Sequence, residues 1–209
     1  MSARKADPPY RIVTERLVLR CWNPRDAPLL KEAVDSSLDS LRAWMPWASD
    51  EPTSLEEKGQ LLRRFRGRFD LGQDFVYGIF DPEEAEVVGG TGLHTRAGDD
   101  ALEIGYWIRD SRVGNGYATE VTAALTRVAF ELCEVERVEI RVDPANTASL
   151  AIPRRLGYGE EATLRRRLQG ADGAAADVTV FSLFPEELAA TPSAEAAVTA
   201  FDELGRQVL

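Results

Sequence analysis

Apolar residues change their spacing several times along the chain, and each change marks the start of a new predicted element. Helical spacing predicts helices over residues 24–38, 54–69, 116–133 and 146–156. Alternation of apolar and polar residues predicts strands over residues 11–21, 75–80, 86–94, 101–109, 138–142, 158–168 and 178–184. The last segment, residues 194–208, also has a helical pattern and predicts a C-terminal helix.

The three strands in the middle of the chain are joined by short turns. Asp81-Pro82 and the Gly-Asp-Asp of residues 98–100 are turn sequences. Links this short favour an antiparallel meander, so the fold class is predicted to be α+β (mixed α/β), not a doubly wound parallel sheet. At 209 residues the chain suits one domain, predicted over residues 11–186, with an N-terminal arm at 1–10 and a helical tail at 187–209.

Charge and composition exclude several classes of protein. The formal net charge of −10 disfavours a nucleic-acid partner and permits a cationic acceptor such as an amine. Two cysteines and one histidine leave no convincing metal site, so no metal is expected. We find neither a signal peptide nor an apolar run that could span a membrane, which makes cytoplasm the expected compartment and excludes a membrane partner.

A glycine-containing loop after the strand at 101–109 is the first chemical signal. The sequence DSRVGNGYA, residues 110–118, joins that strand to the helix at 116–133. Such loops bind phosphates through backbone N–H groups at the N-terminus of a helix. An ordinary surface turn before a helix can have a similar sequence and is the alternative. A Walker sequence is absent, and Thr119 stands where a dinucleotide-binding fingerprint needs its third glycine.

A second motif lies at a fixed distance from this loop. Together, VGNGYA, NTAS and RRLGY resemble the GNAT superfamily of acyl-CoA-dependent N-acetyltransferases, over about residues 14–184. TERLVLR, LRAWMPW and EIGYWI are similar to its ribosomal-protein N-acetyltransferase (RimJ/RimL-like) branch. The resemblance implies a twisted mixed sheet of about seven strands with helices on both faces.

The same resemblance implies an activity. An acetyl group would move from the cosubstrate acetyl-CoA to a primary amine, on a protein N-terminus or a small molecule, by direct attack in a ternary complex. A non-catalytic acyl-CoA sensor is the alternative, and a monomer or a homodimer is expected. The family's loop begins with a polar residue that is Val113 here, while Arg112 precedes it by one position. The implied cofactor-binding residues are Trp107, Ile108, Arg109, Arg112, Val113, Gly114, Asn115, Gly116, Tyr117, Ala118, Thr119, Asn146 and Ser149.

Three residues are the candidate catalytic groups. The family's tyrosine acid is replaced by Pro153, so the resemblance implies that Ser149, beside Asn146, protonates the departing thiolate. Ser149 could instead start a helix by satisfying backbone donors. Glu103 is the implied general base, with a solvent-facing glutamate as the alternative. Gly105, two residues later, suggests a bulge that would separate this strand from the next.

Aromatic residues and the single histidine complete the candidates. Trp44 and Trp47 are implied to line the acceptor site, although they could equally close a core. His94 ends a predicted strand and is interpreted as a structural or surface residue.

Overall fold

A single mixed sheet organises the chain. The computed structural model describes residues 6–170 and 173–209. The strands are β1 Arg11–Val13, β2 Val18–Cys21, β3 Phe75–Phe80, β4 Val87–His94, β5 Ala101–Ile108, β6 Arg137–Val142, β7 Gly159–Gln169, β8 Ala175–Leu183 and β9 Thr199–Phe201. The α-helices are α1 Ala27–Asp35, α2 Leu38–Trp44, α3 Leu55–Asp70, α4 Tyr117–Glu131 and α5 Thr147–Arg155.

The nine strands follow the order β7-β8-β6-β5-β4-β3-β2-β1-β9. Strands β2 to β5 form the predicted antiparallel meander. Strands β5 and β6 run parallel, with α4 as the crossover between them, whereas β6 pairs with β8 in antiparallel fashion. The sheet is therefore mixed, and its parallel pair lies at the point where the glycine-containing loop leaves β5.

Helices cover both faces of the sheet. On one face, Val121 of α4 and Leu150 of α5 belong to the larger apolar core. On the other face, Leu30 of α1 and Leu62 of α3 pack with Trp22 in a second core. This arrangement confirms the predicted α+β fold class, and α4 and α5 support β6 from one side.

The number of strands and the end of the chain differ from the prediction. The segment predicted as one strand over 11–21 is a hairpin, because the Thr14 hydroxyl and N–H both bond to the Leu17 carbonyl in a turn. The helix predicted over 194–208 is wrong, since β9 pairs there with the free edge of β1. Asp202 accepts the N–H groups of Leu204 and Arg206 and stabilises the turn that follows β9. The sheet consequently has nine strands in place of about seven.

Other predicted boundaries moved by a few residues. The helix predicted over 24–38 ends at Asp35, and a break at Ser36 and Ser37 separates it from α2. The loop predicted between β7 and β8 contains residues 171 and 172, which lie outside the described residues, as do residues 1–5 of the predicted arm. The domain limits at residues 10 and 186 stay predictions.

Candidate active site

A gap opens between β5 and β6. The two strands pair only from Ala101 to Glu103, opposite Arg137 to Glu139. Beyond that point β6 continues along β8 and β5 continues along β4, so the strands diverge. The predicted separation is present, but Gly105 forms no bulge, since it pairs with Gly92 in an unbroken register. The gap arises where the pairing ends.

Backbone donors of β5 face this gap. The Arg109 N–H donates to the Val88 carbonyl at 2.9 Å, on the β4 side. Because donors alternate along an antiparallel strand, the N–H groups of Tyr106 and Ile108 point to the opposite edge, toward β6. Among the described residues, no strand pairs with these donors, which are of the kind that polarises an acyl carbonyl.

The loop at residues 113–116 leads from the open end of β5 into α4. Gly114 and Gly116 have φ angles of +79° and +78°, in the left-handed region that favours glycine. Gly116 is the N-cap of α4, and no side chain in the described part of the chain caps this helix. The first N–H groups of α4, from Tyr117 to Thr119, are thus available to an anion and lie at the positive end of the helix dipole.

Arg16 is a residue of this loop region that the sequence analysis missed. It comes from the turn between β1 and β2, and its Nη1 donates to the Asn115 carbonyl at 2.9 Å. Its Nη2 and Nε lie 2.6 and 2.7 Å from a carboxylate oxygen of Glu120 in the first turn of α4. The guanidinium carbon lies 4.7 Å from the centroid of the Tyr117 ring. Arg16 therefore joins the turn between β1 and β2 to the loop and to the first turn of α4, about 100 residues away in the sequence.

Two arginines proposed for the cofactor are engaged elsewhere. The Arg109 side chain is buried, donates to Glu32 at 2.6 and 2.8 Å, and lies 3.0 Å from Glu86. Its backbone N–H donates to Val88, and its Nε is buried without a partner among the described residues, so its predicted contact with the cofactor stays a prediction. Arg112 donates through Nε to Glu86 at 3.1 Å, and that contact raises the pKa of its guanidinium. The contacts of both side chains attach β5 and its loop to neighbouring elements.

Ser149 lies beside the gap, at the start of α5. The Asn146 side chain accepts the Ser149 N–H at 3.0 Å and is the cap of this helix. The alternative in which Ser149 satisfies these donors is therefore wrong. Its hydroxyl instead lies 3.0 Å from the hydroxyl of Tyr106, a second residue absent from the sequence-based site. Position 153 is a proline that lies buried within α5, and its side chain has no proton to donate to the thiolate.

Burial of the Tyr106 phenol determines its protonation. Desolvation raises its pKa to about 12, and the hydrogen bond with Ser149 opposes part of that shift. The phenol donates to the Ser149 carbonyl at 3.3 Å, and either hydroxyl can be the donor in the contact between the two side chains.

Glu103 stands at the last paired position of β5. It is 4 % exposed, so the interpretation as a solvent-facing residue is wrong. Arg96 Nε donates to one carboxylate oxygen at 2.9 Å, and Arg96 Nη2 donates to the other. Arg141 of β6 lies 3.6 Å from the same carboxylate. The carboxylate is thus held between two cationic side chains, and its predicted role as base stays a prediction.

Two tryptophans stand on the same side of the sheet as Trp107. Trp44 and Trp47 are each 41 % exposed, which argues against the alternative that they close a core. The ring centroids of Trp47 and Trp107 lie 6.1 Å apart. Trp47 therefore packs beside the half-buried Trp107 of β5, and the predicted contact of Trp44 and Trp47 with the acceptor stays a prediction.

Within residues 6–170 and 173–209, no group of three or more His, Cys, Asp or Glu side chains is arranged to hold a metal ion. No helix in the same residues is long and apolar enough to cross a membrane.

A sheet that opens between two parallel strands, next to an uncapped helix N-terminus, places backbone donors where an anionic ligand can bind. Residues 16–159, more than half of the chain, match the acetyltransferase (GNAT) domain family, and the chain belongs to it. It is an N-acetyltransferase of this family, and its cosubstrate is acetyl-CoA.

Individual relatives agree with this assignment. The chain is 27 % identical to the [ribosomal protein uS5]-alanine N-acetyltransferase of Escherichia coli over 74 % of this chain and 80 % of that protein. It is 28 % identical to the uncharacterized N-acetyltransferase p20 of Bacillus licheniformis over 85 % of this chain and 98 % of p20. The structure of Mycobacterium smegmatis RimJ with CoA-disulfide has a TM-score of 0.76 at 24 % identity, covering 90 % of this chain and 95 % of RimJ. The resemblance to the ribosomal-protein branch is confirmed.

Proposed function

We propose that this enzyme acetylates the N-terminal amine of a protein by direct attack on acetyl-CoA in a ternary complex. The gap between β5 and β6 carries the proposal, because it opens backbone donors beside an uncapped helix. The acceptor class is supported by the similarity to a ribosomal-protein alanine N-acetyltransferase. A ribosomal acceptor would be met in the cytoplasm, the compartment expected from the sequence.

The loop would hold the pyrophosphate of acetyl-CoA. Left-handed Gly114 and Gly116 let the backbone approach the phosphates, and the N–H groups at the start of α4 donate to them. Arg16 lies against this loop and adds a positive charge. Most of the anion contacts would then come from the backbone, so binding would not require a polar side chain at Val113.

The thioester would then lie in the gap. The N–H groups of Tyr106 and Ile108 would donate to the carbonyl oxygen, where negative charge develops in the tetrahedral intermediate. Ser149 would donate its proton to the sulfur as the carbon–sulfur bond breaks. Tyr106, protonated near neutral pH, holds the Ser149 hydroxyl in that position.

The amine would approach from the face that carries Trp47 and Trp107. An N-terminal ammonium suits this face, because the net charge of the chain is −10 and the field attracts cations. The ammonium must lose a proton before attack, and the proposal that Glu103 accepts it stays a prediction.

The test is coenzyme A thiol release with peptides as acceptors. We expect release with acetyl-CoA and a peptide bearing a free N-terminal alanine, and none with the same peptide N-acetylated. A lysine-containing blocked peptide separates the α-amine from a side-chain amine. Binding of acetyl-CoA without thiol release across peptides and small amines would overturn the proposal and favour the non-catalytic sensor.

A further inference from the structure

His94, the only histidine of the chain, lies at the end of β4. It pairs in register with Glu103 on β5, and the next pair on the same face is Gly92 with Gly105. This is the face of β5 that also presents Trp107. His94 therefore stands on the side of the sheet from which the acceptor is proposed to approach.

The imidazole lies over the two glycines. A Cβ atom built on Gly92 would come within 2.7 Å of its Nε2 and Cε1, and one built on Gly105 within 3.3 Å of Nε2. Any side chain at Gly92 would displace the ring. The two glycines thus make the space in which Nε2 reaches the strand that lines the thioester gap.

Asp74 fixes the orientation of the ring. Its carboxylate lies 2.8 Å from His94 Nδ1. A carboxylate accepts hydrogen bonds, so Nδ1 carries the proton and the lone pair of the neutral imidazole lies on Nε2. In the described residues no group hydrogen-bonds Nε2, and that atom is not among the buried unpaired atoms, so solvent reaches it. A carboxylate that orients an imidazole with a free Nε2 is the usual arrangement of a general base.

Glu103 is less suited to accept a proton. Both of its oxygens are bound by Arg96, and Arg141 lies 3.6 Å away. Protonation would leave these guanidinium groups without their counter-charge. The charged groups that face His94 are therefore Asp74, Glu103 and Arg96, of which Asp74 contacts it directly.

We infer that His94, oriented by Asp74, is the general base that removes a proton from the acceptor ammonium, a role that rests on the proposed function. His94 Nε2 takes one proton, and the freed nitrogen lone pair forms a bond with the thioester carbonyl carbon. Collapse of the intermediate breaks the carbon–sulfur bond, and the sulfur takes a proton from Ser149. The second proton of the nitrogen passes through water to Ser149 and restores the hydroxyl that gave its proton to sulfur. The imidazolium then releases its proton to solvent, so one ammonium and one thioester give amide, thiol and a proton.

The experiment compares kinetics with direct titration of the imidazole. A single histidine gives one pair of imidazole C–H signals in the proton NMR spectrum, which report its titration midpoint in the wild-type protein with coenzyme A bound. We expect kcat/KM for an N-terminal alanine peptide, measured with acetyl-CoA as cosubstrate, to fall at low pH. The midpoint of that fall should equal the midpoint of the imidazole titration. Because this comparison uses the wild-type enzyme, it does not depend on the folding of a variant.

Variants distinguish the two candidate bases. His94→Gln should lower kcat by about 10²- to 10⁴-fold and abolish the acid limb at the imidazole midpoint, while acetyl-CoA affinity stays near that of the wild type. Asp74→Asn should lower kcat by a smaller factor than His94→Gln does. It should also shift the pH at which the acid limb of the rate profile falls. Glu103→Gln removes the rival candidate base, and its pH profile should keep the acid limb at the imidazole midpoint.

Two results would overturn the inference: a wild-type limb that does not follow the imidazole signal, or His94→Gln with normal turnover. Failure of the wild type to acetylate any peptide would instead overturn the proposed function.

Discussion

Replacement of Gly116 by valine tests the assignment of the cofactor loop. Gly116 is the N-cap of α4 and has a φ of +78°, a conformation that costs an L-residue on the order of 1–2 kcal/mol. A Cβ atom there would meet only Arg16 Nη2, at 3.7 Å, so the strain comes from the backbone and not from a clash. Relaxation of the loop would turn the first N–H groups of α4 away from the phosphates.

The size of the effect follows from the bonds that are lost. A hydrogen bond to a charged group contributes about 1.5–3 kcal/mol. Loss of one such bond should weaken coenzyme A binding by about 10- to 150-fold. Calorimetric titration with coenzyme A measures this change directly, and urea unfolding measures the accompanying loss of about 1–2 kcal/mol in stability.

Gly205→Val is the matched control for backbone strain. Gly205 has a φ of +74°, and nothing lies within 4 Å of a Cβ atom built there. It belongs to the turn after β9, away from the cofactor loop. Both variants should lose similar stability, and only Gly116→Val should lose affinity. Unchanged affinity in Gly116→Val, or an equal loss in Gly205→Val, would refute the assignment.

Three further perturbations test the rest of the site. Ser149→Ala should lower kcat and kcat/KM together by about 10²-fold or more, with acetyl-CoA affinity unchanged, because a general acid acts only in the transition state; a folded variant with normal turnover would exclude this role. Arg16→Gln should weaken coenzyme A binding by about tenfold and reduce the salt dependence of that binding, measured by calorimetry at several salt concentrations. An unchanged salt dependence would exclude a contact between Arg16 and phosphate. Burial raises the pKa of Tyr106 from 10 to about 12, so native stability should fall as pH rises through that interval, by at most about 2.7 kcal/mol. Urea unfolding of Tyr106→Phe should lose less stability over the same interval than the wild type, and equal losses would contradict the assigned burial.

Local signals in the sequence account for the parts of the fold that were predicted. Asn146 caps α5 and Ser54 caps α3 through contacts within three residues, so the sequence around each is enough to place the helix start. The glycines at 114 and 116 likewise encode their own backbone conformation. The meander was predictable because its turns are short and its strands are consecutive.

The missed features depend on contacts between distant segments. The end of the chain has a helical pattern, but the free edge of β1 recruits residues 199–201 as a strand. Arg16 reaches the loop at Asn115 from another part of the sheet, and Asp74 reaches His94 across 20 residues. No periodicity or spacing records such pairs. The same holds for Arg96, whose two bonds to Glu103 change what that carboxylate can do.

Direct transfer to an N-terminal nitrogen is the central claim, and mass spectrometry with isotopically labelled acetyl-CoA tests it. We expect the label on the α-nitrogen of a peptide with a free N-terminal alanine, and an unmodified enzyme after incubation with labelled acetyl-CoA alone. Label on the enzyme that later passes to the peptide would contradict direct attack. Absence of label from every peptide and small amine, despite bound acetyl-CoA, would contradict the account as a whole.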